Sequence, residues 1–547
     1  MTETPKKKTT YSLDIVLLAL LIGILAGVLF TPKATNEESQ LFMAQNKMSQ
    51  RVNAVLTLID NRYVDIVDYD SLSDQMLNAM LSTLDPHSYY LSPSSFEKES
   101  ETMAGQFDGI GVTLFYVGDT VYASQVMPGS PAEKVGIHPG DRILRVDTTL
   151  VSGTGMTKES STIVNLIRGP RYSNVKLTVQ RQGSSKLHTF KVRRDKILMS
   201  TVPAYVMVNS NTGYIRISRF GDHTGKEFHA ALLQLLNKNM QNLIVDLRDN
   251  AGGSLASCLE VCDELLPEGN LIVYTQGAHI GRSDVYATSG GLFEKGKLTV
   301  LVDERSASAS EIVAGAVQDN DRGTIMGHLT FGKGLVQSQY PLSDGSAVLL
   351  TIARYYTPSG RCIQRPYDKG TDEYYSQYIS RIIENYMSAD SILDAGYDTT
   401  QVFLTKNGRK VYGGGGIRPD ILLPYFTDTN LVYYNRIISK RVLEDYLHQQ
   451  LFLHYDQLIS RYPTFDVFMK EYQVSDATWK AILALADKRG IARHAEGLRK
   501  YGDDIRTRYK ALMASTLYGE NAYYTLSLPG DTELQRAVEN IKKKTNH

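Results

Sequence analysis

Cysteine is scarce. The three in 547 residues, Cys258, Cys262 and Cys362, are too few for a disulfide framework and odd in number. The fold must therefore hold by packing. Neither charge is in excess, since 59 Lys plus Arg stand against 59 Asp plus Glu. The electrostatic attraction behind non-specific nucleic-acid binding is missing at whole-chain level, and nucleic acid is not an expected partner. A charged fraction of 22% with 42% apolar residues excludes a mostly disordered chain and a polytopic membrane protein. No repeat recurs at fixed period. The length excludes a single compact domain and predicts roughly three or four.

Long apolar runs are also rare, with one exception. Lys6, Lys7 and Lys8 precede an uncharged stretch from Ile15 to Phe30, about 24 Å of helix at ~1.5 Å per residue. Counted from Leu13, it reaches the low end of the ~17–25 residues that span a bilayer. The lysines predict a cytoplasmic amino end and everything after Phe30 outside. A cleaved signal peptide is the alternative, but Leu29-Phe30-Thr31-Pro32 has no small-x-small site, and no cysteine follows for lipid attachment. Residues 1–33 are therefore expected to form a cytoplasmic tail and retained transmembrane anchor, with the rest periplasmic or otherwise extracytoplasmic.

Apolar positions recur at helical spacing from Leu41 to Leu84, and Asp85-Pro86 ends the pattern, so 40–95 is expected to be a helical region. Short alternating runs such as Val112-Thr113-Leu114-Phe115-Tyr116 and Val175-Lys176-Leu177-Thr178-Val179 make 96–183 a small β-rich domain. From 196 to 425 strands alternate with helices (strands at Gly213–Ile217, Leu243–Leu247 and Leu298–Val302; helices at Lys226–Leu236 and Leu255–Leu265), the pattern of an α/β layer. Within it 366–410 is polar, tyrosine-rich and weakly periodic, and reads as an insertion. Residues 426–547 are helical again, with Leu443, Leu447, Leu451, Trp479, Ile482 and Leu485 at helical spacing.

Three segments of the α/β region can carry chemistry. Ser306-Ala307-Ser308-Ala309-Ser310-Glu311 lies between a strand and a helix-like run, where α/β enzymes present a nucleophile to the positive helix end. Ser308-x-x-Glu311 is equally a capping box with no catalytic role. A serine needs a base. His223, His229, His279 and His328 lie in no special setting, whereas Lys333 stands between Gly332 and Gly334 and is followed by apolar residues. Burial would lower its pKa from about 10.4 towards the neutral range, where an amine acts as a base. The plain alternative is a solvated lysine in a turn. Leu243 to Leu247 then runs through Arg248-Asp249-Asn250-Ala251 into Gly252-Gly253, a backbone able to approach a ligand closely or simply to turn.

Together with Asp85-Pro86-His87-Ser88-Tyr89, Gly109-Ile110-Gly111-Val112, Ser130-Pro131-Ala132, Gly140-Asp141-Arg142-Ile143, Phe331-Gly332-Lys333-Gly334, Ala353 through Gly360 and Gly416-Ile417-Arg418-Pro419-Asp420, these segments resemble the carboxy-terminal processing peptidases. These tail-specific proteases are Ser-Lys dyad serine peptidases with an embedded PDZ domain. The resemblance implies an α+β multidomain fold: a membrane helix, a helical segment, a β-rich PDZ domain, a crotonase/ClpP-like α/β peptidase core and a helical extension. It implies Ser308 as nucleophile, Lys333 as general base, Gln337 as the group orienting the lysine, and an oxyanion hole from the amides of Ala309 and of Gly252 or Gly253. The family's Asn-Pro-Gly-Gly reads Asn250-Ala251-Gly252-Gly253 here, and the missing proline leaves open which glycine donates.

No metal or organic cofactor is implied. Cys258 and Cys262, at i and i+4, are expected to be core rather than metal ligands. The PDZ loop Gly109-Ile110-Gly111-Val112 is expected to hold the carboxylate of a substrate tail, with Leu114 and Val135 lining a pocket and Arg168 touching substrate or the peptidase body. The implied activity is cleavage of proteins near their carboxyl ends at the membrane. Oligomerisation with copies of itself is left open. The competing readings are a catalytically inactive PDZ-bearing scaffold or chaperone, and a Ser-His hydrolase of small esters.

Overall fold

The structure, a computed structural model, describes residues 36–153, 160–181, 186–387, 400–424 and 428–543. The predicted membrane segment at 13–30 lies outside them. Among the described residues no helix is long and apolar enough to cross a membrane. The chain divides into two units, Met1–Met76 and Leu77–His547. The first contains the helix Asn36–Arg62 and the beginning of Tyr69–Ser82.

The second unit is built around a six-stranded sheet that follows chain order: Ala204–Met207, Thr212–Arg216, Asn242–Asp246, Lys297–Val302, Thr324–Gly327 and Ile421–Leu422. All neighbours are parallel except the first pair. Side chains alternate between the faces of a strand. Ile215, Leu243, Val245, Leu298, Val300 and Ile325 therefore face one layer, packed with Phe228 and Leu232 of helix Thr224–Leu236, Val261 of Leu255–Leu265 and Val313 of Ala309–Asp319. Tyr214, Ile244, Leu301 and Met326 face the other layer, which Leu534, Ala537, Val538 and Ile541 cover from the last helix, Thr532–Lys543. The end of the predicted helical extension thus packs on the six-stranded sheet. Its helical period was legible, but its partner, some 300 residues upstream, was not.

An antiparallel sheet stands beside it, in which Ala347–Tyr356 pairs with Leu335–Pro341, Leu271–Gln276 and the short strand Tyr89–Leu91. Residues 89–91, read as the tail of the helical region 40–95, are therefore a strand of this antiparallel sheet. The β-rich domain is a separate sheet whose last strand, Leu187–Arg193, pairs with Asn174–Gln180. The sequence pattern brackets the end of this domain between Gly183 and Arg194, and the last strand ends at Arg193, with Val192 its one buried residue. The helix Val442–Arg461 packs against this domain through His448 on Phe115, with ring centroids 3.7 Å apart, and Phe452 on Tyr122 at 5.3 Å.

Within 366–410, read as weakly periodic, Thr371–Met387 is a helix. Tyr374, Tyr378 and Arg381, at i, i+4 and i+7, form a polar-aromatic face that a search for apolar periodicity passes over. Tyr374 is buried, and the Arg381 guanidinium donates to the Thr330 carbonyl at 2.9 Å. This helix therefore packs on the lysine loop, with Tyr374 and Tyr378 against Phe331.

Candidate active site

The three serines of the 306–311 segment have different environments. Ser306 is fully buried, and its hydroxyl donates to the Leu247 carbonyl at 2.8 Å while accepting the Asp303 N–H at 2.9 Å. The Ser310 hydroxyl, also buried, donates to the Asn250 carbonyl at 2.8 Å, and the Ala307 N–H donates to the same oxygen at 3.0 Å. Both fasten this turn to the glycine loop. Ser308 lies between them, immediately before helix Ala309–Asp319, with φ of 54°. A non-glycine residue in that left-handed region costs on the order of 1–3 kcal/mol and persists only where its surroundings impose it.

Ser308 lines a cavity of about 670 Å³ with Lys333, Gln337, Ala309, Gly252, Gly253 and Tyr355, so the structure gathers every residue expected of the catalytic centre. Gly252 is pressed against the serine turn. A Cβ added there would lie 2.8 Å from both the Ala307 carbonyl oxygen and Ser308 Cβ, so only glycine fits. Its N–H is occupied by Asn250 Oδ1 at 2.9 Å. The amides of Gly253 and Ala309 donate to no protein group among the described residues.

Lys333 is partly buried, and desolvation pushes its ammonium below the ordinary lysine value of 10.5 against the pull of Asp85, Glu311 and Glu99. Its Nζ donates to Gln337 Oε1 at 2.5 Å, and Gln337 Nε2 donates to the His87 carbonyl. A bulge between Val336 and Gln337 turns the glutamine towards the lysine. His87 is positioned by Asp85, whose Oδ1 accepts the N–H groups of His87 at 2.8 Å and Ser88 at 2.9 Å. Burial, followed by the charge of Lys333, pushes the His87 imidazole down to about 3, so the ring is neutral. None of His223, His229, His279 and His328 lines the cavity.

Two further residues join the serine turn to the lysine loop. Glu311 is fully buried, and its carboxylate accepts the N–H groups of Ser308 at 2.9 Å, Gly332 at 2.7 Å and Lys333 at 2.9 Å, together with the Thr330 hydroxyl at 2.5 Å. Burial raises its pKa and these donors oppose the rise. The hydroxyl of buried Tyr355 lies 2.7 Å from the Lys333 carbonyl oxygen and 3.2 Å from that of Ser308. The sequence showed Glu311 only as a capping-box residue and gave Asp85, His87 and Tyr355 no role. Their signal was membership of recurrent motifs, which does not reveal what a side chain touches.

Cys258 and Cys262 are buried, and the Cys258 thiol donates to the Ala309 carbonyl at 3.2 Å. In the β-rich domain, the Ile110 and Gly111 carbonyls accept the N–H groups of Ala132 at 3.0 Å and Met127 at 2.9 Å. These bonds fix the loop Gly109-Ile110-Gly111-Val112. Leu114 and Val135 pack on that domain's core. Arg168 does not line the cavity. It pairs with Glu101 at 2.7 Å, with its guanidinium 4.4 Å from the Phe107 ring centroid. Glu101 belongs to helix Pro93–Ala104, whose Glu99, Thr102 and Met103 do line the cavity.

The sequence matches peptidase family S41 over residues 211–372, a PDZ domain over 122–181, and a family of unknown function over 433–519. The carboxy-terminal-processing protease of Bartonella bacilliformis is 34% identical over 337 residues, 60% of this chain and 75% of that protein. The carboxyl-terminal-processing protease of Synechocystis is 35% identical over 295 residues, 53% of this chain and 68% of its own. The solved structure of the photosystem II D1 C-terminal processing protease is 27% identical, covers 68% of this chain and 86% of that one, and superposes with a TM-score of 0.34. With these relatives, this chain belongs to the carboxy-terminal processing proteases, serine peptidases of family S41 that carry a PDZ domain.

Proposed function

We propose that Ser308 is the nucleophile and neutral Lys333 its base. The observation that carries this reading is the hydrogen-bonded series from Lys333 Nζ through Gln337 to the His87 carbonyl, in the cavity that Ser308 lines. Lys333 takes the hydroxyl proton as Ser308 Oγ attacks the scissile carbonyl, and the oxyanion forms against the amides of Ala309 and Gly253. Gly253 is preferred to Gly252 because the latter's N–H is held by Asn250. The ammonium then protonates the departing amine, and neutral Lys333 activates water to release the acyl group.

The rate of peptide hydrolysis should rise with pH through a midpoint below 10.5, since only the neutral amine accepts the proton. Stability should rise over the same window. Between the lowered folded value and the unfolded one the unfolded chain binds the proton that the folded chain lacks, so raising the pH favours folding. A pH-rate profile and denaturant melts of parent and Lys333→Met check both, and an unchanged rate across that range removes lysine as the base.

The PDZ domain is proposed to receive substrate tails, with Gly109 to Val112 holding the terminal carboxylate. Amidating an apolar peptide's carboxyl end should weaken binding about tenfold, equivalent to ~1.4 kcal/mol. Equal affinity of free and amidated peptides, measured by calorimetry on the Ser308→Ala protein, would end the tail-reading idea. Lys6 to Lys8 and the run to Phe30 further support a membrane anchor that places the peptidase on the periplasmic or extracytoplasmic side. Fractionation and added-protease accessibility in intact cells test this placement.

A further inference from the structure

Arg248 lies two residues beyond strand Asn242–Asp246 and immediately before Asp249, whose φ of 63° turns the chain towards Gly252 and Gly253. Its guanidinium is largely buried and meets three carboxylates. Nε and Nη2 donate to Asp246 at 3.0 and 2.7 Å. Asp246 is itself shared, since it also accepts the Tyr214 hydroxyl at 2.7 Å and Arg216 Nη1 at 2.9 Å. The outer side of the guanidinium faces the end of the chain. Nη2 donates to Asp531 Oδ2 at 2.6 Å, and Nη1 donates to Asp531 Oδ1 at 3.3 Å and Glu533 Oε2 at 2.7 Å.

These two acids have a rigid footing. Asp531 Oδ1 also accepts the Leu534 N–H at 3.0 Å, capping helix Thr532–Lys543, and that helix lies along the sheet through Leu534, Ala537, Val538 and Ile541. The sheet that feeds the glycine loop therefore also fixes the carboxylates that grip its first residues. On the far side, the Asp249 N–H donates to both Asp303 oxygens at 3.0 Å. The loop is thus held from the serine side by Asp303 and from the chain terminus through Arg248.

We propose that Asp531 and Glu533 are positioning residues for catalysis: by holding Arg248 they set where the Gly253 amide stands relative to Ser308. This rests on the reading of Gly253 and Ala309 as the oxyanion donors. Without the two carboxylates Arg248 keeps Asp246, but the guanidinium loses its outer acceptors and the loop gains freedom to move. Stabilisation of a tetrahedral intermediate depends on donors fixed in advance at the developing oxyanion, whereas ground-state binding of the peptide does not. Loosening the loop should therefore reduce kcat more than it changes KM.

The test uses the full chain with Asp531→Asn and Glu533→Gln together. These substitutions keep the side-chain shapes, and asparagine remains a competent helix cap. The expected result is a kcat reduced about tenfold with KM within twofold. A peptide boronic acid, which adds Ser308 Oγ to give a tetrahedral adduct, should lose affinity in the same proportion, while the corresponding free-acid peptide binds as before. Glu533→Gln alone, with Asp531 intact, should recover most of both losses. Should the double substitution fold poorly, Asp531→Asn alone takes its place and should show most of both losses, because Asp531 accepts two of the three outer hydrogen bonds from Arg248. Unchanged kcat overturns the proposal, as does a fall in kcat with undiminished boronate affinity, which marks a merely structural contact. A boronate that fails to inhibit the parent protein overturns the oxyanion reading and this proposal together.

Discussion

Ser308→Ala and Lys333→Ala should each lower kcat by on the order of 10⁴-fold or more, since members of a nucleophile-base pair act as a unit. Lys333→Arg should be as inactive, because a guanidinium does not give up its proton near neutrality. Stability should change by less than about 1 kcal/mol on loss of the Ser308 hydroxyl, which lines the cavity instead of tying two loops together. The neighbouring serines should behave in the opposite way. Ser306→Ala takes the hydroxyl acceptor from the buried Asp303 N–H and one of two donors from the Leu247 carbonyl, and Ser310→Ala removes one of two donors to the Asn250 carbonyl. Each should cost roughly 1–3 kcal/mol of stability while leaving hydrolysis within about tenfold of the parent. Hydrolysis assays and urea melts on all three serine variants make the comparison. An active Ser308→Ala alongside an inactive, stable Ser306→Ala or Ser310→Ala would transfer the nucleophile assignment to the neighbour.

Glu311→Ala should impair folding and chemistry together. The substitution strips the acceptor from three backbone N–H groups and one hydroxyl, drawn from both loops that meet at the site. Leaving buried donors unsatisfied costs about 1–3 kcal/mol each, so a loss of at least ~3 kcal/mol is expected even if water reaches some of them. The serine turn and lysine loop would then lose their common reference point, and kcat should fall at least ~10²-fold, since small misplacements of a reacting pair are costly. Glu311→Gln keeps one oxygen but turns an amide donor towards donors, and should be intermediate in both measurements. Tyr355→Phe removes the hydroxyl shared by the Lys333 and Ser308 carbonyls and should have the same character at smaller scale, about 1 kcal/mol. Full activity with native stability for Glu311→Ala would mean that the clamp does not set the site.

The contrast between Ser308 and Glu311 follows from what a linear pattern can carry. Period-two alternation and short apolar runs mark the strands Asn242–Asp246 and Lys297–Val302, because a strand buried between two layers must be apolar on both faces. A strand, a turn of small residues and a helix mark 306–311 as a candidate nucleophile segment, because local backbone geometry dictates those residue types. Family motifs then named Ser308, Lys333 and Gln337 together.

The sequence by itself determined the fold class, the order of the peptidase and PDZ modules, and a short set of candidate catalytic residues. All of these rest on local periodicity or on motifs a few residues long. The tertiary structure decided which serine faces the cavity, which glycine amide is already occupied, and how the serine turn and the lysine loop are joined. Those answers depend on single hydrogen bonds between residues far apart in the chain, such as Ser310 to Asn250 and Gln337 to His87. It also decided that the last helix closes the peptidase sheet and that the polar stretch after Pro366 packs on the lysine loop. An amphipathic pattern tells a helix to bury one face, but the surface that receives it is set only when distant segments meet.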